Sequence, residues 1–260
     1  MSRAPEVIDY TATSTRPQWD ELPMAVRVAV SDALGAEVVE AGRSAGAGFT
    51  RGFAAPLRLA GGREAFVKAA SERFVFAYRG YQREAEVVPQ LPAAIRVPRI
   101  EATAHAEADG EKWYAVASEL IVGRMPGNPW TADDFAIVTA NCEAIAVSLT
   151  PSPIDGLGTL IDDLTGDHAR PDRFASMRDG DLPVPEGFQP WLPDRLSELA
   201  ELVERHPVAL AGDSATHGDL RPDKLIIDAE GNCWAVDWNW LSLAPAWVDW
   251  VGLQIGRAHV

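Results

Sequence analysis

Two carboxylates bracket a short hairpin in the last quarter of the chain. Asp219 sits in His217-Gly218-Asp219-Leu220-Arg221-Pro222-Asp223-Lys224, and Asp237 sits in Trp234-Ala235-Val236-Asp237-Trp238. Between them, Leu225-Ile226-Ile227-Asp228 and Trp234-Ala235-Val236 are apolar runs around a turn at Ala229-Glu230-Gly231-Asn232, so they are expected to pair. Pairing returns the end of the second strand to the start of the first. Lys224 then lands near Asp237, with the Asp219 loop beside them. Converging carboxylates suit attack of a hydroxyl on phosphorus. One accepts the hydroxyl proton; the other holds a magnesium ion that bridges phosphate oxygens. The first half supplies a cation, Lys68, on a strand after a glycine-bearing loop with Gly42, Gly46, Gly48 and Gly52. Such a loop lets backbone N–H groups approach phosphate closely. Glu84, on the following helix, can hold Lys68 in position.

The elements that must position these groups read as follows. Met1 to about Pro17 is a weakly ordered lead-in. Leu22 to Leu34 is an amphipathic helix with Val26, Val30, Ala33 and Leu34 on one face, stopped by Gly35. Strands begin at Val38, run from Phe53 to Leu59 and cover Ala65 to Lys68, with a hairpin turn at Gly61-Gly62. Phe74 to Leu91 is helical. Val97-Pro98 and Tyr114 to Ala117 are strand-like, either side of an acidic turn near Asp109-Gly110. Ala132 to Leu149 is a helix capped by Thr131, with Asp134 three residues on. The stretch from Pro151 to Pro193 is rich in Pro, Gly and Asp and gives no firm pattern. Leu192 to Arg205 is a further helix. Ile255-Gly256-Arg257-Ala258-His259-Val260 fits nothing before it and back-translates to a common adapter read. It is set aside as an artefact, with truncation of the chain at its C-terminus as the corollary.

The chain has 260 residues, 47% of them apolar and 23% charged, which is enough for a real core. No apolar run approaches the ~20 residues of a membrane span, and no signal-peptide pattern opens the chain. The net charge of -15 disfavours nucleic acid and anionic membranes as partners and favours a cationic small molecule. Cys142 and Cys233 have neither a CxxC partner nor ligand spacing, so they read as structural thiols of a cytoplasmic protein.

In order and spacing, these pieces resemble the aminoglycoside phosphotransferase-type small-molecule kinases, over about Leu22 to Trp250. Gly48-Phe49-Thr50-Arg51-Gly52 resembles that family's phosphate-covering turn, Phe66-Val67-Lys68 its phosphate-lysine strand, and Arg83-Glu84-Ala85 its pairing glutamate. Glu119-Leu120-Ile121 resembles the hinge, whose backbone would read adenine. His217-Gly218-Asp219 resembles the catalytic loop and Val236-Asp237-Trp238 the metal loop. Ala246-Trp247-Val248-Asp249 resembles a segment whose aspartate braces the catalytic loop.

The resemblance implies an α+β, two-lobed protein-kinase-like fold. Its small N-terminal antiparallel sheet lobe would cover 1–118, a hinge 119–123, and a mostly helical C-terminal lobe 124–254. It implies ATP or GTP with Mg2+ as cofactors and a small-molecule hydroxyl as acceptor. Asp219 would be the base, Asp237 the metal ligand, and Gly48, Gly52, Lys68, Glu84, Glu119, Ile121 and Lys224 the nucleotide-binding set. Lys224 departs from the family, whose loop ends in Asn. An ammonium has no lone pair for a metal. Three readings follow: the lysine replaces a metal's charge, the protein is a pseudokinase-like binding module without turnover, or an Asn codon has changed by one base. Bland roles stand beside the chemical ones, since Asp219 could cap a turn and Lys68 could be a solvated edge lysine.

Overall fold

The computed structural model describes residues 15–45, 51–127, 129–165, 172–187 and 189–257. Its first layer is an antiparallel sheet of β1 (Val38–Ala41), β2 (Phe53–Leu59), β3 (Glu64–Ser71), β4 (Ile100–Ala108) and β5 (Glu111–Glu119), ordered β1-β2-β3-β5-β4. Preceding it in sequence, α1 (Met24–Leu34) lays Val26, Val30 and Leu34 over one sheet face; Ala33, expected there, is exposed. The strand period of two then fixes where Lys68 points. Ala65, Val67 and Ala69 join the cluster under α1. Lys68 and Ala70 therefore face the other way, where α2 (Val75–Val87) presents Ala77, Tyr81 and Glu84.

The α2 helix is shorter than its apolar spacing suggests. It passes into a 3-10 turn at Val88–Gln90, because Pro89 has no N–H for the helical ladder. Val97-Pro98 forms no strand; the extended segment starts at Ile100 and reaches the turn at Asp109-Gly110, where both residues have positive φ (54° and 78°).

Beyond β5 the chain becomes mostly helical. β6 (Gly123–Arg124) leads to α3 (Ala132–Ser148), α4 (Leu160–Thr165), α5 (Arg173–Arg178), α6 (Leu192–Glu204) and α7 (His206–Ala209). Then come β7 (Ser214–Thr216), β8 (Leu225–Asp228), β9 (Cys233–Ala235), β10 (Ser242–Ala244) and α8 (Val248–Arg257). The expected cap of α3 is present: the Thr131 hydroxyl accepts from the Asp134 N–H at 3.1 Å. The Asp134 carboxylate in turn holds Arg124 through two bonds, tying α3 to β6. Val138, Cys142 and Ile145 of α3, with Leu149 just after it, share one core with Leu220, Leu225, Ile227, Ala235 and Trp238. The result is the α+β, two-lobed architecture, a small antiparallel sheet lobe followed by a helical part. The stretch 151–193 supplies α4 and α5; Ile255, Gly256 and Arg257 lie within α8, and Ala258 to Val260 lie outside the described residues.

Candidate active site

The hairpin forms as its sequence requires. β8 and β9 pair with Leu225 opposite Ala235 and Ile227 opposite Cys233. The Asp228 carboxylate pins the turn, accepting from the N–H groups of Glu230 and Asn232 and from the Trp234 indole. These bonds pull its pKa down to about 2, the Trp234 indole being the largest contributor. Past the last pair, the Val236 N–H donates to the Lys224 carbonyl at 3.0 Å, which sets Lys224 against Asp237. Asp237 itself is in the left-handed region, φ +66°, a conformation a non-glycine residue keeps only when its surroundings hold it there.

The Asp219 loop is anchored from two sides. The carbonyl of Val236 can only accept, so the His217 ring donates to it from Nε2 at 2.8 Å. That leaves Nδ1 to accept the Asp219 N–H at 3.3 Å. His217 is fully buried against Trp238, ring centroids 4.7 Å apart. On the opposite side, Asp249 of α8 accepts the N–H groups of His217 and Gly218 at 2.8 and 2.9 Å. Gly218 has φ +76°, and a Cβ there would lie 2.9 Å from the Trp240 carbonyl oxygen, so the loop needs a glycine.

The small lobe meets this loop through Lys68. Its ammonium donates to both Glu84 oxygens at 2.8 and 2.7 Å and to Asp237 Oδ1. It also sits 5.9 Å from the Tyr81 ring centre. Burial alone would lower the Lys68 pKa, but Asp237 and then Glu84 outweigh it, and the ammonium is held above its usual range. Burial likewise pushes Asp237 up, yet Lys68 and Lys224 together drive its carboxylate well below the usual range. Glu84 is raised, mainly by burial, with Lys68 offsetting part. Gly80 allows α2 this near, since a Cβ there would press on Asn239 at 3.0 Å.

Lys68, Glu84, Glu119, Ile121, Asp219, Lys224 and Asp237 all line one cavity of about 630 Å³. Its far end is apolar, with Ala54, Pro56, Phe66, Pro98 and Ile226 beside Glu119 to Ile121. There the Glu119 N–H is committed to the Arg99 carbonyl at 2.9 Å. Gly52 does not line the cavity; it is buried under Tyr81, and its carbonyl accepts from Arg16. Gly48 lies outside the described residues. Trp130 packs against Phe135 and Trp191 is exposed, so neither reaches the cavity, whereas Trp240 does.

Sequence reasoning missed Arg221. Its guanidinium holds Asp223 through two bonds of 3.0 Å and also donates to Asp219 Oδ1. The signal was available as acid–base–acid at Asp219, Arg221 and Asp223. Burial raises the Asp219 pKa, and Arg221, then Lys224, offset part of that. Among the described residues, no group of three or more His, Cys, Asp or Glu side chains is arranged to hold a metal by itself. No helix among them is long and apolar enough to cross a membrane.

No family model matches the chain. No curated protein matches it either. Solved structures do. An aminoglycoside-3'-phosphotransferase of type VIII superposes with a TM-score of 0.55 and 27% identity, over 90% of this chain and 83% of that one. A GDP and kanamycin complex of APH(2")-IIia gives 0.58 and 14%, over 91% and 81%. A thermostable APH(4)-Ia mutant with ADP and hygromycin B gives 0.58 and 14%, over 88% and 76%. The chain has the aminoglycoside phosphotransferase-type, protein-kinase-like fold.

Proposed function

We propose that this protein transfers the γ-phosphoryl group of ATP or GTP to a hydroxyl of a small molecule. The observation that carries the reading is the convergence of Lys68, held by Glu84, with Asp219 and Asp237 on one cavity. Adenine or guanine would lie in the apolar end, against the backbone of Glu119 and Ile121. The triphosphate would run toward Lys68 and Lys224. The acceptor oxygen would form its bond to the γ-phosphorus as the bond to the bridging oxygen breaks, its electron pair leaving with the nucleoside diphosphate. Asp219 would take the acceptor's proton. Neighbouring structures bound to GDP, ADP, or AMP-PNP with Ca2+ support a nucleotide in this place.

The donor set fits one magnesium ion. Asp237 would hold it together with phosphate oxygens and water, the usual donors for this cation. When bound, it would neutralise charge on the phosphates. The family's second protein ligand is replaced by the Lys224 ammonium, which cannot coordinate.

The acceptor side of the cavity carries Phe76 and Trp240, ring centroids 4.9 Å apart, with Leu160, Leu164 and Asp163 of α4. Asp219, Asp223 and Asp237 are all ion-paired within the site, while Asp163 is exposed. This favours an acceptor with an apolar face and a cationic group near Asp163, over one presenting several ammoniums at the reaction centre. The test is nucleoside triphosphate consumption by the full chain across a panel of hydroxyl compounds, antibiotics included. Consumption with one acceptor supports the reading. Binding of nucleotide with no consumption across the panel turns it into a pseudokinase-like binding module.

A further inference from the structure

Lys224 is not an incidental surface lysine. It is 8% exposed, and the 3-10 turn Pro222–Lys224 fixes its backbone. Its ammonium donates to Asp237 Oδ2 at 2.5 Å and lies 3.4 Å from Asp223. Asp223 is itself held rigid, its side chain fully buried and gripped at both oxygens by Arg221. So the charge is built into the cavity wall and clamped by two carboxylates on different sides of the hairpin. Lys68 takes the other Asp237 oxygen, and the single carboxylate stands between two ammoniums. Each Asp237 oxygen has a lone pair besides the one its ammonium takes. A second divalent ion on the Lys224 side would meet a fixed positive charge where a neutral carbonyl ligand is needed.

Resting on the phosphotransferase reading above, we infer that the site takes one divalent cation with its nucleoside triphosphate, and that the Lys224 ammonium contacts the phosphates in place of a second. The lysine is then a built-in counter-charge, present before nucleotide arrives. Part of the phosphate affinity consequently persists without any metal.

The test counts bound Mn2+ by electron paramagnetic resonance on the full chain with AMP-PNP. The expected result is one Mn2+ per bound nucleotide in the wild type and two in Lys224→Asn. In EDTA, Lys224→Met is expected to weaken AMP-PNP binding by about 10- to 100-fold, and Lys224→Arg to restore most of it. Two ions in the wild type, one in Lys224→Asn, or equal metal-free affinity in wild type and Lys224→Met each overturn the inference while leaving nucleotide binding intact. Should Lys224→Asn fail to fold, the wild-type count and the Met and Arg pair decide. Absence of AMP-PNP binding to the wild type would overturn the phosphotransferase reading itself.

Discussion

Asp219 carries the heaviest demand, because as the proposed base it must be ionised and yet sit largely out of water. Burial raises its pKa above the ordinary carboxylate range, and Arg221 restrains that rise. Only the deprotonated form can accept a proton, so the rate should fall as pH drops through this raised pKa. Removing Arg221 takes away a charge that favours the ionised form. Arg221→Gln should therefore move the acid limb of the kcat profile to higher pH, measured against the wild type under saturating substrates. Asp219→Asn should cut kcat by about 10²- to 10⁴-fold while nucleotide Kd stays nearly constant; an unchanged kcat rules out Asp219 as the base. Lys68 is a separate case. Lys68→Met strands Glu84 in a buried site and should cost about 3–5 kcal/mol in urea unfolding. Adding Glu84→Gln should return much of that loss, since the uncompensated charge is then gone.

Among the elements, the β8–β9 hairpin does the positioning, and the Asp219 loop depends on one backbone conformation at its start. Gly218→Ala would force a Cβ toward the Trp240 carbonyl at a positive φ. It should cost about 1–3 kcal/mol of stability and lower kcat more than it changes nucleotide KM, because Asp219 moves while the Glu119–Ile121 segment does not. This hairpin was legible from sequence: two apolar runs, a turn ending in Gly-Asn, and a lysine and an aspartate at matching ends. The capped α3 was legible for the same reason, a strong local signal that agrees with its packing. β4 was not. Its alternation is carried by Ala102, Ala104 and Ala106 between polar residues, and alanine is a poor strand former whose burial contributes little contrast. The fork of Arg221 on Asp219 and Asp223 was missed because it arises from a loop bent by Pro222, where neither helical nor strand spacing applies. Gly52 was misplaced for a related reason: a glycine required by a close approach to Tyr81 reads, in sequence, like one required by phosphate.

At the scale of the molecule, the cavity is lined from both halves of the chain, with Lys68 and Glu84 from the sheet lobe and Asp219, Lys224 and Asp237 from the helical part. A ligand filling it touches both and should stabilise both. At a nucleotide concentration about 100 times Kd the gain is about 2.7 kcal/mol, or roughly 5–10 °C in Tm for a chain of this size. Differential scanning fluorimetry measures it, and Lys68→Met should lose most of the shift relative to its own lower baseline. The net charge of -15 sets the other molecular property, since in the proposed reaction phosphate would have to approach through a repelling mean field and meet Lys68 and Lys224 at close range. Cys142 and Cys233 are free and buried, and burial pushes both thiols up to about 12, so neither supplies a nucleophile to this chemistry.

The grip of Asp249 on two successive backbone amides reaches beyond its local geometry. It couples the docking of α8 to the shape of the Asp219 loop, because both loop amides are held by one side chain of that helix. Deuterium uptake at His217 and Gly218 should then track uptake along α8 rather than that of the neighbouring hairpin turn. Asp249→Ala should release both amides together, turning a pinned loop into one that breathes.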